Sequence, residues 1–231
     1  MNKTDILKEL KNTFSFEPTS DQIIWFNTIS KFLDSLSKND LFILKGYAGT
    51  GKSTLISHLV KNLKTIDFKS VLLAPTGRAA KVISSYSNSI SYTIHKQIYL
   101  PRSEKGVGIK FILKKNRLKN TFFIVDEASM IGNNTNQSKL FENGSLLDDL
   151  IKYVYSGAKC FLILVGDTAQ LPPINLQLSP ALNNNELEKK YNKTITSILL
   201  KKVVRQHSRS GILKNATSIR EFITEGRYNK L

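Results

Sequence analysis

The sequence predicts an α/β fold, in which a mostly parallel sheet is flanked by helices on both faces. Two observations carry this prediction. Short, continuous apolar runs rich in Ile, Leu, Val and Phe alternate with longer amphipathic patterns, as strands buried in a parallel sheet alternate with their connecting helices. A glycine-rich segment also joins the first apolar run directly to a helical pattern. The apolar runs occupy residues 41–45, 70–74, 122–125, 160–165 and 195–200.

Helical patterns fill the intervals between these runs, and two segments interrupt the alternation. Residues 97–120 carry many lysines around a turn at Gly106 and Gly108, which predicts a small inserted basic hairpin. Residues 131–145 are polar and rich in Asn, which predicts a flexible loop. We therefore expect a single domain over 1–231 that carries the hairpin as an insert. The clearest helical patterns cover 19–36, 52–64, 77–86, 145–156 and 209–225.

The segment from Gly46 to Ser53 is a complete phosphate-loop signature, G-x-x-x-x-G-K-S. Its glycines let the backbone wrap tightly, so that N–H groups and the following helix N-terminus face phosphate oxygens. Lys52 can reach the β- and γ-phosphates, and the Ser53 hydroxyl can hold Mg²⁺. The sequence therefore predicts an ATP site that uses Mg²⁺, the alternative being a glycine-rich turn without a ligand. The predicted nucleotide-binding residues of this segment are Gly46, Ala48, Gly49, Thr50, Gly51, Lys52, Ser53 and Thr54.

Two further strands are predicted to deliver polar side chains to the same site. The apolar run 122–125 ends in Asp126 and Glu127, and ligands of a parallel sheet lie beyond the carboxyl ends of its strands. Asp126 can bind Mg²⁺, and Glu127 can accept a proton from the attacking water. The alternative is an acidic pair that caps the following helix. The run 160–165 leads to Asp167 and Gln170, and Gln170 can hydrogen-bond the γ-phosphate or the water.

The charge balance favours a polyanionic partner. The 34 Lys and Arg residues exceed the 18 Asp and Glu residues and give a net charge of +16, which is typical of nucleic-acid binding, although a merely soluble basic protein is the alternative. A single cysteine, Cys160, excludes an internal disulfide, and its place in an apolar run favours burial. No apolar segment resembles a signal peptide or a membrane span. We therefore expect a cytoplasmic protein, nucleoid-associated if its source is bacterial, with no membrane partner.

The motifs also occur in a known order. GYAGTGKST, APTGRAA, TIH, VDEASM, GDTAQLPP and VVRQ follow one another between about residues 17 and 225. In this order they resemble the N-terminal RecA-like domain of superfamily 1B helicases, in the RecD-like and Dda-like branch. The resemblance implies a RecA-like P-loop NTPase core with ATP-driven translocation along single-stranded DNA, in the 5′ to 3′ direction. A single-strand/duplex junction is an equally suitable partner.

The resemblance adds two residues to the ATP site. Gln22 matches the family's adenine-recognising glutamine, and an amide can bond two edge atoms of adenine. Arg205 matches the arginine that approaches the γ-phosphate, a position at which arginines accelerate phosphoryl transfer. Without the resemblance, Gln22 would be read as a helix cap and Arg205 as one charge in a basic tail.

The resemblance also predicts a DNA-facing side. Pro75, Thr76, Gly77 and Arg78 match motif Ia, and Thr93 with His95 matches motif Ib, whose residues contact the strand backbone; a plain strand–helix turn and a structural histidine are the alternatives. The insert 97–120 stands where the family carries a duplex-splitting pin, and its Tyr99 and Phe111 would suit base stacking, unless the insert is only a solvated hairpin. Trp25 and Phe26 are expected in the core.

The sequence departs from the family in one respect. We find no pattern of a second RecA-like domain after residue 206. The expectation is therefore the first motor domain of a longer helicase, which binds ATP but hydrolyses it slowly without its second domain. Two alternatives remain open at this stage: a stand-alone P-loop ATPase or nucleotide kinase, and a DNA-binding module with an inactive ATP site.

Overall fold

The structure is a computed structural model that describes residues 3–104, 108–132, 145–170, 173, 176 and 178–204. Within these residues the chain forms seven α-helices and eight strands. The helices are α1 (Lys3–Asn12), α2 (Ser20–Asp34), α3 (Lys52–Leu63), α4 (Gly77–Ser87), α5 (Ile94–Ile98), α6 (Leu146–Tyr155) and α7 (Asn184–Tyr191). The strands are β1 (Asp40–Gly46), β2 (Lys69–Ala74), β3 (Ser91–Thr93), β4 (Tyr99–Glu104), β5 (Gly108–Leu113), β6 (Lys119–Val125), β7 (Ala158–Gly166) and β8 (Thr194–Leu200).

Six strands form one sheet in the order β3-β2-β6-β7-β1-β8, and each neighbouring pair is parallel. The phosphate-loop strand β1 and the carboxylate strand β6 therefore flank β7. In the register of the sheet, Val125 pairs with Leu164 and Leu44 pairs with Val165, so the three strands end at one edge. The predicted α/β fold with a parallel sheet is confirmed.

Helices cover both faces of the sheet because its strands alternate their side chains between two apolar layers. In β1, Phe42 and Leu44 pack into the layer under α1, α2 and α3, whereas Leu41 and Ile43 pack into the layer under α5 and α6. All four side chains are fully buried. The continuous apolar runs of the sequence thus reflect strands that are buried on both sides.

Three side chains that were expected in the core are buried. Trp25 and Phe26 are fully buried in α2, and Cys160 is buried in β7. Within the described residues, no helix is long and apolar enough to cross a membrane.

Several boundaries differ from the sequence prediction. The inserted hairpin is the separate antiparallel pair of β4 and β5, and it is shorter than 97–120 because residues from Lys119 onward belong to the central strand β6. The helix α1, with the apolar side chains Ile6, Leu7 and Leu10 against the core, was not predicted. The helical pattern 209–225 and most of the loop 131–145 lie outside the described residues.

Candidate ATP site

The phosphate loop connects β1 to α3 in a conformation that only glycine adopts easily. Gly49 and Gly51 have φ angles of 78° and 89°, in the left-handed region that costs other residues energy. A Cβ atom on Gly51 would also lie 2.6 Å from Nε2 of Gln22. The second glycine of the signature is therefore required both by its backbone angle and by the close approach of α2.

The lysine of the loop is held against the loop itself. Nζ of Lys52 donates to the carbonyl oxygens of Gly46 and Tyr47 at 2.6 and 3.0 Å, and the Thr50 hydroxyl donates to the Tyr47 carbonyl at 2.8 Å. Lys52 is only half-buried. Lys52 carries a strongly hydrated point charge on a flexible stem, so its Nζ can turn from these two carbonyls to a phosphate.

The carboxylates lie where the sequence predicted them, directly after β6. Oδ1 of Asp126 accepts the backbone N–H of Glu127 at 2.9 Å, and Oδ2 accepts the hydroxyl of Tyr86 at 2.5 Å. Burial, followed by the charge of Asp126, raises the pKa of Tyr86. The tyrosine is therefore a protonated donor to Asp126.

Glu127 lies in an environment that suits a general base. Burial, followed by the nearby charge of Asp126, raises the pKa of Glu127 above its ordinary value, which brings a carboxylate closer to the pH range where proton acceptance is efficient. Its backbone has φ 54° and ψ 36°, a left-handed conformation that is uncommon for a residue with a side chain and often occurs at functional sites. The 3₁₀ turn Ala128–Met130 begins immediately after it.

A hydrogen-bond network links Glu127 to the end of β7. The side chain of Gln170 hydrogen-bonds the Glu127 carboxylate, while Oε1 of Gln170 accepts the Ser129 hydroxyl at 2.7 Å. Asp167 is buried, and its carboxylate accepts the backbone N–H of Ala169 at 2.8 Å, which shapes the turn that carries Gln170. The structure therefore brings Glu127 and Gln170 together, as the sequence predicted.

Gln22 lies next to the phosphate loop, but its amide is engaged within the protein. Oε1 accepts the backbone N–H of Thr19 at 3.0 Å, and Nε2 donates to the Thr50 carbonyl at 3.3 Å. The Thr19 hydroxyl in turn accepts the Gln22 N–H, so the two residues form a capping box that starts α2. The side chain is only 3% exposed. Contact of Gln22 with adenine stays a prediction, whereas its support of the loop is observed.

The segment after β8 returns to the phosphate loop. The Asp21 carboxylate accepts the backbone N–H groups of Lys201 and Lys202 at 2.7 and 2.9 Å. Burial opposes the ionisation of Asp21, but these backbone hydrogen bonds outweigh it and lower the pKa of Asp21. The N–H of Val204 then donates to the Gly49 carbonyl at 2.8 Å. Arg205 lies outside the described residues, and its predicted role stays a prediction.

The predicted DNA contacts lie at the ends of β2 and β3, on the edge of the sheet that carries the phosphate loop. The Thr76 hydroxyl accepts the N–H of Ala79 and caps α4, and Pro75 before it is half-buried. Gly77 and Arg78 are exposed, and a Cβ atom on Gly77 would meet no protein atom within 4 Å. The turn is thus open to a phosphate backbone at the N-terminus of α4.

The second predicted contact has a more structural character. The Thr93 hydroxyl accepts the N–H of Lys96 at 3.2 Å and caps the short helix α5. The ring of His95 lies 5.8 Å from the ring of Tyr99, and burial lowers the pKa of His95. His95 is therefore neutral near pH 7 and offers no positive charge here, and its contact with DNA stays a prediction.

The hairpin does not present Tyr99 for base stacking. Tyr99 is 4% exposed, and its hydroxyl donates to the Asp149 carboxylate at 2.6 Å. Phe111 is half-buried, packs against the same apolar layer, and lies 6.4 Å from the Tyr99 ring. The expectation that Tyr99 stacks on bases is wrong, because the first residue of β4 anchors the hairpin on α6. Leu100, the next residue of β4, is exposed.

Sequence reasoning missed two residues of the site. Ser129 orients Gln170, and Tyr86 binds Asp126. Ser129 lies inside the motif that follows β6, where a serine near the carboxylates could have been singled out. Tyr86 lies 40 residues before Asp126, in the last turn of α4, and no local pattern points to it.

The donor set fits magnesium. Ser53 offers a hydroxyl oxygen in the first turn of α3, and Asp126 offers carboxylate oxygens at the end of β6. The two lie close enough to share Tyr86 as a hydrogen-bond partner. Mg²⁺ prefers hard oxygen ligands and is commonly held by one or two carboxylates together with substrate phosphates, which this pair of side chains can provide.

Comparisons with known proteins identify the family of this chain. Residues 30–175 match the family model of an AAA domain, AAA_19. The sequence is 31% identical over 150 residues to the ATP-dependent RecD2 DNA helicase of Deinococcus radiodurans, which covers 63% of this chain and 18% of that protein. It is 29% identical over 177 residues to the ATP-dependent DNA helicase PIF6 of Trypanosoma brucei brucei, which covers 72% of this chain and 19% of that protein.

A solved structure shares the fold. The Pif1 helicase from Bacteroides in complex with ADP-AlF3 and single-stranded DNA superposes with a TM-score of 0.52 and 18% identity. The superposition covers 90% of this chain and 47% of that chain. The chain thus spans about a fifth of the length of the two curated relatives and about half of the solved one.

Proposed function

The chain belongs to the AAA domain family and is a RecA-like domain of the superfamily 1B helicase type, and from this premise we propose that it is the ATP-binding and ATP-hydrolysing motor domain of a 5′-to-3′ single-stranded DNA translocase. One observation carries the proposal. Glu127, with a raised pKa, is hydrogen-bonded to Gln170 and lies close enough to the phosphate-loop Lys52 to feel its charge. A binding loop alone would not need this arrangement.

Each side chain of the site has a distinct task in hydrolysis. Lys52 turns to the phosphates, and Ser53 with Asp126 holds Mg²⁺, whose charge offsets that of the phosphates when it is bound. Glu127 accepts a proton from the attacking water. Gln170, oriented by Ser129, hydrogen-bonds the water or the γ-phosphate and relays the change to the end of β7.

DNA binding is assigned to the edge that carries the open turn at Gly77. Arg78 is exposed beside the N-terminus of α4, where backbone N–H groups and the helix dipole favour a phosphate. Thr93 and His95 lie at the start of the neighbouring α5. The net charge of +16 supports a polyanionic partner, and the 5′-to-3′ direction is proposed on the family resemblance alone.

A second RecA-like domain is the proposed partner for full activity. In superfamily 1 helicases ATP lies between two such domains, and the present chain spans a minor part of the curated relatives. We infer that these 231 residues bind Mg²⁺ and ATP but turn ATP over slowly. Arg205 is the next residue in the sequence after Val204, whose N–H contacts the phosphate loop, and it is the proposed γ-phosphate arginine.

The experiment is ATP hydrolysis with and without single-stranded DNA, measured for the wild type, Lys52→Ala and Glu127→Gln. We expect nucleotide binding by the wild type and by Glu127→Gln, a loss of binding in Lys52→Ala, and slow phosphate release that Glu127→Gln abolishes. Lys61→Ala is the matched control, because Lys61 is an exposed lysine in the last turn of the same helix.

Three outcomes would contradict the proposal. Phosphate transfer to an acceptor instead of water would indicate a nucleotide kinase. DNA binding without nucleotide binding at millimolar ATP would indicate a DNA-binding module with an inactive site. Strong DNA-dependent turnover by a monomer would refute the need for a second domain.

A further inference from the structure

We propose that Tyr86 competes with Mg²⁺ for the metal site: its hydroxyl bridges Ser53 and Asp126 and has to leave the Asp126 oxygen when that oxygen binds Mg²⁺. This role rests on the proposed nucleotide site. It involves a residue that belongs neither to the phosphate-loop signature nor to the carboxylate motif, and that is brought to the site by α4.

The Tyr86 hydroxyl lies between the two oxygen donors. It donates to Oδ2 of Asp126 at 2.5 Å and is also hydrogen-bonded to the side chain of Ser53. The other carboxylate oxygen, Oδ1, already accepts the N–H of Glu127 at 2.9 Å. A phenol has a single hydrogen to donate, and here it is directed at the oxygen of Asp126 that the backbone leaves available.

The packing of α3 and α4 holds the ring in this place. Tyr86 packs against the apolar layer that contains Leu55, Ile56 and Ile83, and its carbonyl oxygen accepts the hydroxyl of Ser57 at 3.2 Å. The ring is therefore tied to α3 through its backbone and to β6 through its hydroxyl. Because the backbone and the hydroxyl of Tyr86 are both held, the side chain should return to the same position when Mg²⁺ leaves Ser53 and Asp126.

The Asp126 oxygen that accepts the Tyr86 hydroxyl is an oxygen that the proposed function offers to Mg²⁺ or to its bound water. Because the single phenol hydrogen goes to Asp126, the Ser53 hydroxyl donates to the Tyr86 oxygen, and this hydrogen bond holds the Ser53 side chain on the tyrosine. A hydrogen bond to a charged carboxylate is stronger than one between neutral groups. The bridge therefore opposes metal binding, and its loss should lower the Mg²⁺ concentration that the site requires.

The test uses the variant Tyr86→Phe, which removes the hydroxyl and keeps the ring. A fluorescent ADP analogue is bound to the chain in EDTA, and Mg²⁺ is then titrated in. We expect the free Mg²⁺ concentration at which the fluorescence change is half-maximal to fall about tenfold, because a hydrogen bond to a charged group contributes at least roughly that factor. The affinity for the analogue in EDTA should not change, since the bridge concerns the metal donors alone.

Tyr92→Phe is the matched control, because it removes a tyrosine hydroxyl from β3, where Lys96 lies over the ring. It should have the Mg²⁺ requirement of the wild type. Tyr86→Leu is a second variant that lacks the hydroxyl and should shift the requirement in the same direction. Thermal unfolding in EDTA identifies which variants are folded.

The outcomes separate this role from the proposed function. An unchanged or higher Mg²⁺ requirement in folded Tyr86→Phe or Tyr86→Leu would overturn the competition. A wild-type chain that binds no nucleotide with or without Mg²⁺ would instead refute the ATP site itself. A lower requirement in the Tyr86 variants, with a wild-type value in Tyr92→Phe, would support the bridge.

Discussion

The substitution Gly51→Ala tests the conformation of the phosphate loop in the absence of any ligand. Gly51 has a φ of 89°, and a left-handed backbone costs a residue with a Cβ about 1–2 kcal/mol. The new Cβ would also lie 2.6 Å from Nε2 of Gln22. The amide of Gln22 would have to move, and it would then lose its hydrogen bonds to the Thr50 carbonyl and the Thr19 N–H.

The expected loss of stability is the sum of these two effects. The two hydrogen bonds contribute about 0.5–1.5 kcal/mol each, so the free energy of unfolding should fall by roughly 2–5 kcal/mol when the backbone cost is added. The measurement is urea unfolding without nucleotide, with the m-value compared between variants to check that the unfolding transition is the same. Fluorescent nucleotide binding should be lost in the same variant.

A matched control is Gly77→Ala, at the first position of α4. Gly77 has an ordinary φ, and an added Cβ meets no protein atom within 4 Å. Alanine is favoured over glycine in a helix by up to about 1 kcal/mol, so this variant should be as stable as the wild type or slightly more stable. A loss below about 1 kcal/mol in Gly51→Ala would be less than the backbone cost alone and would refute the loop conformation.

A second test of the same contact is the double variant Gln22→Ala with Gly51→Ala. If the clash with the Gln22 amide is real, the two substitutions together should cost less than the sum of their separate effects. Full additivity would show that the amide and the loop do not meet.

Three further predictions follow from the site and its surroundings. Because the pKa of Glu127 is raised in the folded state, the folded chain binds the Glu127 carboxyl proton more tightly than the unfolded chain does. The free energy of unfolding should therefore fall as the pH rises from the ordinary pKa of 4.5 through the raised pKa. Glu127→Gln should remove this decline in urea unfolding measured across that pH range. Ser129→Ala removes the donor to Gln170, and single-turnover hydrolysis should slow about two- to tenfold with nucleotide affinity unchanged. Tyr99→Phe removes the hydrogen bond to the fully buried Asp149, and urea unfolding should show a loss of about 1–3 kcal/mol.

Each of these predictions has a control and a contradicting result. A wild-type chain and a Glu127→Gln variant with the same pH profile would show that Glu127 titrates normally. Ser84→Ala, which removes a half-buried hydroxyl bonded to the Ser89 carbonyl, should not slow hydrolysis, and equal rates for Ser129→Ala and wild type would exclude the orientation of Gln170. Tyr92→Phe is the control and should keep wild-type stability. Wild-type stability in Tyr99→Phe as well would show that Asp149 does not depend on the Tyr99 hydroxyl.

The parts of the site that the sequence predicted are those within one strand–loop–helix unit. The loop from Gly46 to Ser53 follows β1 and opens α3 as expected, because the complete signature stands between an apolar run and an amphipathic pattern. Asp126 and Glu127 follow β6, and Gln170 follows β7. Their meeting at one edge was predictable because parallel strands end on the same side of their sheet.

The partners of Tyr99 and of Gln22 could not be predicted from the sequence. An aromatic residue in a basic insert suits base stacking, but Tyr99 pairs with Asp149, 50 residues away on α6. A glutamine at a helix start suits either a cap or a ligand contact, and Gln22 serves as a cap while it also reaches the Thr50 carbonyl. Both outcomes depend on which elements become neighbours.

By itself the sequence determined the α/β class, five strands of the central sheet with most of their connecting helices, and the phosphate loop with the two carboxylates after β6. Each of these depends on hydrophobic period and on residues close together in the chain. Only the tertiary structure decided that Tyr86 reaches Asp126 and that Ser129 reaches Gln170, across 40 and 41 residues. The physical reason is that such contacts depend on the strand order β2-β6-β7-β1 and on the packing of α4 over the sheet, and neither is encoded in any local pattern.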